Sequence, residues 1–189
     1  MPRKGAAFLD RDGTLNAQPP EGCYVRRPSD LELLPGATSA IRMLNRHGIP
    51  VVLATNQRWL SFPGASFDEY RAVDQRLRDL LAAQSARLDA GYVCPHALNS
   101  CNCRKPNPGM LLRGAAELDL DLSTSVMIGD TLADCRAARA AGVRAALVNY
   151  SGTDPVPPWT AQFDCLADAA SWAVHVISSS LPEAKGPSC

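Results

Sequence analysis

The feature that most constrains this chain is a repeated order: a short apolar run, a polar cluster, then a stretch with helical periodicity. The apolar runs fall at residues 6–9, 50–54, 91–93, 125–128 and 144–148. Each suits a strand buried on both faces and is too short for a core helix. Between them, residues 37–47 place Ile41 and Leu44 at helical spacing and run into Gly48, a helix-stop signal. Residues 67–88 repeat Tyr70, Val73, Leu77, Leu80 and Leu81; residues 110–118 and 132–141 follow, the latter meeting Gly142. Residues 151–159, with prolines at 155, 157 and 158, read as a loop, and 166–177 as a last helix. Apolar strands alternating with amphipathic helices predict an α/β fold, a Rossmann-like three-layer α/β/α arrangement around a mainly parallel sheet.

A length of 189 residues suggests one domain, expected over 1–178, with 179–189 as a flexible tail. The 19 basic and 19 acidic side chains cancel, which argues against a nucleic-acid-coating role. No run approaches the ~20 apolar residues that a membrane helix needs. The opening Met-Pro-Arg-Lys-Gly has no apolar stretch before Asp10 that reads as an export leader, so a cytoplasmic protein is expected. Seven cysteines remain to be explained. An odd number, without a leader and with three of them in one short stretch, fits a metal site better than a disulfide framework.

In open parallel sheets, ligands bind beyond the carboxyl ends of the strands, and that is where the polar clusters lie. The first is Phe8-Leu-Asp-Arg-Asp-Gly-Thr14, in which Asp10 and Asp12 need a cation or protons if they are desolvated. Alone, it is equally consistent with a solvated turn. The second, Ala54-Thr-Asn-Gln57, offers donors to an anion, although Thr and Asn are also ordinary turn residues. Arg104-Lys105 supplies a guanidinium fork and a point charge suited to phosphate. In Ile128-Gly-Asp-Thr-Leu-Ala-Asp134, Asp130 reads as a magnesium ligand. Asp134, one helical turn on, also fits the role of complementing a helix dipole.

Taken together and in this order, the four clusters resemble the motifs of the haloacid-dehalogenase superfamily of aspartate-nucleophile phosphohydrolases, over roughly residues 6–148. The resemblance implies Asp10 as nucleophile and Asp12 as general acid/base. It also implies Thr55 and Lys105 as phosphoryl-orienting groups. Magnesium is expected on Asp10, Asp130 and the backbone carbonyl of Asp12, with Asp134 in a supporting position.

Cys94-Pro-His96 and Cys101-Asn-Cys103 bring three sulfurs and an imidazole into one apparent loop, residues 94–103. Such a set favours tetrahedral zinc in a closed structural site, presenting Arg104 and Lys105 immediately afterwards. Cys23, Cys135, Cys165 and Cys189 show no ligand pattern and read as reduced thiols.

Inside this framework the Cys-x-His…Cys-x-Cys-Arg-Lys-Pro element resembles two families, heptose 1,7-bisphosphate 7-phosphatases and histidinol phosphatases. Tyr24-Val25, Leu33-Leu-Pro-Gly36 and Lys105-Pro-Asn-Pro-Gly-Met-Leu111 look more like the heptose family. The resemblance implies no large cap domain, so substrate selection falls to loops carrying Tyr24, Asn56, Gln57, Arg58 and Arg104. The chain departs from the family pattern twice. Arg58-Trp-Leu-Ser-Phe62 stands where a glycine-bearing loop is usual, and Thr131 where a lysine is usual. The expected activity is magnesium-dependent hydrolysis of a small phosphorylated sugar, with heptose 1,7-bisphosphate first and histidinol phosphate second. The alternative of another class is a catalytically silent binding protein. Neither a nucleic-acid nor a membrane partner is expected.

Overall fold

The computed structural model describes residues 3–179; the expected tail beyond 179, with Cys189, lies outside the described residues. In chain order the regular elements are β1 (Ala7–Leu9), α1 (Ala37–Arg46), β2 (Val51–Asn56), α2 (Phe67–Ala82), β3 (Ala90–Cys94) and α3 (Gly109–Leu118). They continue with β4 (Val126–Gly129), α4 (Leu132–Ala140), β5 (Arg144–Val148), β6 (Thr160–Phe163) and α5 (Leu166–Ser179). The named strands form one sheet, each neighbouring pair parallel, in the order β3-β2-β1-β4-β5-β6. This is the three-layer α/β/α architecture that the alternating pattern predicts.

The layers follow from the period of two in each strand. Ala7 and Leu9 of β1 face one core with Ile41 and Leu44 of α1, Val73 and Leu77 of α2, and Ala170 and Ala173 of α5. Phe8, between them, faces a second core with Leu111 of α3 and Leu132 and Cys135 of α4. With both faces covered, the central strands need no polar alternation. Residues 10–36, between β1 and α1, fold back on the first core through Leu15, Val25 and Leu31. Asn16 forms an isolated bridge with Leu33 that closes this connection.

The sheet order reverses at β1, which pairs with β2 on one side and β4 on the other. Leu9 is in register with both Leu53 and Ile128, so Asp10, Thr55 and Asp130 emerge at one rim. That crevice is the topological switch point, the ordinary ligand position in such sheets.

Two elements differ from the sequence reading. The helix expected over 67–88 ends at Ala82. Ser85 turns into the left-handed region (φ 58°), and Ala86 N–H bonds back to Leu81 O at 3.0 Å. Ala86 and Leu88 remain buried in the turn, which is why the apolar spacing runs past the helix end. β6 has no counterpart in the sequence pattern: Thr-Ala-Gln-Phe is a four-residue strand with no apolar run, paired among the described residues with β5 alone.

Candidate active site and metal centres

The site is built on a buried ammonium. Lys105 Nζ lies 2.9 Å from Asp10 Oδ1 and 2.5 Å from Asp134 Oδ1, and it donates to Ala54 O at 2.7 Å. One hydrogen bond to a carbonyl and two carboxylates in ion-pair contact compensate the buried charge. Burial works against that charge, but Asp10 and Asp134 outweigh it and hold Lys105 above its usual range. Asn56 braces the same residue from behind: its Oδ1 accepts from Lys105 N–H (3.1 Å) and its Nδ2 donates to Lys105 O (3.0 Å).

Asp10 leaves the tip of β1, where its N–H bonds to Ile128 O of β4 at 3.0 Å. Arg11 N–H donates to Asp10 Oδ1 at 2.6 Å. Burial pushes the Asp10 carboxyl up to about 6, with Lys105 opposing and Asp134 adding to the rise. Asp130, beyond β4, is pushed up to about 8 by burial first, then by Asp10 and Asp134. Its Oδ1 is buried with no hydrogen-bond partner among the described residues.

Carboxylate oxygens of Asp10, Asp130 and Asp134 all lie within 4.8 Å of one another. One ammonium does not balance three such acids, and the orphaned Asp130 oxygen faces the deficit. A hard cation with oxygen ligands fits that set. Gly13 is required beside it: φ is +80°, and a Cβ there would collide with Asp130 Oδ2.

Asp134 is engaged differently. Its Oδ2 accepts from Thr131 N–H (3.0 Å) and Thr131 Oγ1–H (2.6 Å), forming the capping box of α4. Its Oδ1 has no directed hydrogen bond among the described residues but is neutralised by the Lys105 ammonium as an ion pair, whereas Asp130 Oδ1 has neither.

Asp12 sits in a cradle of donors. Its Oδ1 accepts from Arg11 Nε (3.1 Å), Arg11 Nη2 (3.0 Å) and Asn16 Nδ2 (3.0 Å). Its Oδ2 accepts from Arg11 Nη2 (3.1 Å) and Gln57 Nε2 (2.9 Å). Arg11 and Asn16 are fully buried, and sequence reasoning missed both. An arginine between two aspartates reads as a surface charge, and only the packed turn hides it.

A cleft of about 500 Å³ opens above these groups, lined by Asp10, Asp12, Thr55, Lys105, Asp130 and Thr131 on its floor. Tyr24, Asn56 and Arg104 also line it. Arg104 Nη1 is buried without a hydrogen-bond partner among the described residues. Gln57 and Arg58 are absent from the lining, contrary to the expectation placed on them. The Gln57 side chain turns inward to Asp12 and Thr55. Arg58 turns away and donates to Tyr24 Oη at 3.1 Å, with its guanidinium 5.6 Å from the Phe62 ring centre. Both residues therefore meet the cleft only through the side chains they hold.

The cysteine cluster closes next to this cleft. Cys94, His96, Cys101 and Cys103 gather with Sγ–Sγ separations of 3.3–3.5 Å, and His96 Nδ1 is 3.2 Å from Cys103 Sγ. A tetrahedron with ~2.3 Å zinc–sulfur bonds has edges of about 3.8 Å, so the set needs only slight expansion to fit. Burial, then the neighbouring sulfurs, push the Cys103 thiol up to about 12, a penalty that a central cation removes. Arg104 N–H also points to Cys101 Sγ at 3.4 Å, tying the cluster to the cleft.

Comparison with known proteins places the chain in a family. A family model described as HAD-hydrolase-like matches residues 102–177. The chain is 40% identical to a D-glycero-D-manno-heptose-1,7-bisphosphate 7-phosphatase of Thermosynechococcus vestitus, over 96% of this chain and 98% of that protein. The chain belongs to the HAD-superfamily phosphatases. Another member, the D-glycero-beta-D-manno-heptose-1,7-bisphosphate 7-phosphatase of Escherichia coli K12, is 33% identical over 95% of this chain and 92% of its own length. Among solved structures, the D,D-heptose 1,7-bisphosphate phosphatase of B. bronchiseptica, complexed with magnesium and phosphate, superposes with a TM-score of 0.83. It is 32% identical, covering 90% of this chain and 98% of that one. This HAD phosphatase has, among its described residues, no helix long and apolar enough to cross a membrane.

Proposed function

We propose that this phosphatase removes a phosphoryl group from a small sugar bisphosphate of the heptose 1,7-bisphosphate type, with Asp10 as nucleophile. The observation that carries the reading is Lys105 locked between Asp10 and Asp134 beside a cleft also lined by Arg104, whose Nη1 is buried with no hydrogen-bond partner among the described residues.

Asp10 attacks phosphorus and forms an aspartyl-phosphate, dividing the hydrolysis into two displacements. Asp12 gives a proton to the departing sugar oxygen and afterwards takes one from the attacking water. Lys105 and the Thr55 hydroxyl hold the transferring phosphoryl oxygens, and Arg104 receives the second phosphate as a bidentate fork. Asp10 and Asp130, with the Asp12 carbonyl, would hold magnesium, which neutralises repulsion between carboxylate and phosphate dianion. Cys94, His96, Cys101 and Cys103 would hold zinc and shape the loop that presents Arg104 and Lys105. Tyr24 and Asn56, which line the same cleft, would contact the sugar.

The substrate assignment draws support from the heptose bisphosphate phosphatases named above as relatives and from the paired cations, Arg104 and Lys105. Phosphate release should be measured on both anomers of heptose 1,7-bisphosphate, fructose 1,6-bisphosphate and histidinol phosphate, with and without magnesium. Magnesium-dependent release that is fastest from a heptose bisphosphate is expected. Preference for histidinol phosphate would move the assignment to that substrate, and no release from any ester would point to a silent binding protein.

A further inference from the structure

We propose that Trp59 is a positioning residue for this reaction: its indole N–H fixes which way the Gln57 amide faces, and thereby which hydrogen bonds reach Asp12 and Thr55. Trp59 lies on the short 3₁₀ turn Arg58–Ser61 directly after β2, within the segment that departs from the glycine-bearing family pattern. It is fully buried, and Gln57 is 1% exposed.

The polarity of the chain of contacts follows from what each group can do. Trp59 Nε1 lies 2.8 Å from Gln57 Oε1. An indole N–H only donates, so the amide oxygen must face it. The amide nitrogen is then turned the other way. Its two hydrogens go to Asp12 Oδ2 and Thr55 Oγ1, each at 2.9 Å. The reversed amide would set an oxygen against the Asp12 carboxylate and an N–H against the indole N–H, two repulsive contacts at once in a buried setting.

Two consequences reach the chemistry. Asp12 Oδ2 is held by a directed donor in addition to the Arg11 guanidinium, which keeps the carboxylate in one rotamer at the cleft floor. Thr55 Oγ1 already accepts from Gln57, so its own hydrogen is left to donate elsewhere, and Thr55 borders the cleft. The indole is itself anchored. The Arg26 guanidinium lies 5.0 Å from the Trp59 ring centre and pairs with both Glu69 oxygens at 3.0 and 3.1 Å. Glu69 closes the capping box at the start of α2, so the tryptophan is referenced to a helix end.

This inference rests on the proposed roles of Asp12 and Thr55, and its test separates the two. Trp59→Phe keeps the ring and removes only the N–H. It is expected to lower kcat on the sugar phosphate about tenfold, the loss of one directed hydrogen bond, with KM changed less than about twofold. Gln57→Met should lose at least as much, and Trp59→Phe in the Gln57→Met background should lose nothing further, because the indole acts through the amide. A tryptophan that only fills space would give multiplied losses in the double variant and overturn the proposal.

A second measurement needs no activity. The Trp59 indole ¹H–¹⁵N resonance, identified by its disappearance in Trp59→Phe, should exchange slowly and move upfield in Gln57→Met. Failure of the reaction assignment would appear as an inert wild-type chain. Failure of this proposal appears as an active wild type indifferent to Trp59→Phe, or an indole resonance unmoved by Gln57→Met.

Discussion

Lys105 Nζ sits 2.9 Å from Asp10 Oδ1, joining the residue that follows the cysteine loop to the residue that ends β1. The contact unites two sequence clusters 95 positions apart and places a cation against the proposed nucleophile. It also makes the site sensitive to any change that leaves one charge without the other.

Asp10→Asn keeps the size and removes the nucleophile. We expect turnover to fall at least about 10³-fold, as for other lost nucleophiles, while circular dichroism shows an intact fold. Near-wild-type phosphate release by this variant would exclude the aspartyl-phosphate route.

Lys105→Met leaves Asp10 and Asp134 facing one another without a cation. Breaking a buried pair in this way costs about 3–5 kcal/mol. For a chain of this length that is a fall in Tm of roughly 10 °C, readable by calorimetry, together with loss of activity. A melting point unchanged to within a degree would show that the ion pair contributes nothing to the fold.

The pH dependence of the magnesium-free protein follows from Asp10 at about 6 and Asp130 at about 8, both raised chiefly by burial. The folded chain retains protons that unfolded carboxyls, with pKa values near ~4, have already released. Stability is therefore fully present below about pH 4 and declines as the pH rises toward about 8. Added magnesium should raise Tm more at pH 8 than at pH 5, since it replaces protons on the same oxygens. A magnesium-free Tm that climbs between pH 5 and 8 would contradict this assignment of the raised groups.

Elemental analysis of purified protein should find about one zinc per chain, held by the four Cys/His ligands. Cys101→Ser or zinc chelation should reduce kcat about a hundredfold, because an ångström of displacement at Lys105 has that effect, while the sheet persists. Full activity in a zinc-free preparation would show that the loop holds its shape unaided.

Much of this was legible beforehand because the chemistry sits in local runs. Asp10 and Asp12, Asp130 and Asp134, and the two halves of the cysteine set each declare themselves within a few residues. Strand and helix positions were equally plain, since burial on both faces leaves an uninterrupted apolar signature. What escaped was whatever depended on a distant partner. β6 has no apolar run, and only its pairing with β5 makes it a strand. Arg58 carried a charge that suggested substrate contact, but the fold gives that charge to Tyr24 instead.

Periodicity and residue chemistry are local properties, so the layer arrangement, the four clusters at the strand ends and the candidate ligating side chains are readable along the chain. Which donors those side chains meet depends on packing. Arg11 became the buried clamp on Asp12, Asn56 the brace on Lys105, and Trp59 the group that orients Gln57. Hydrogen bonds are directional and short-ranged, so such assignments exist only once packing has brought the partners within about 3 Å.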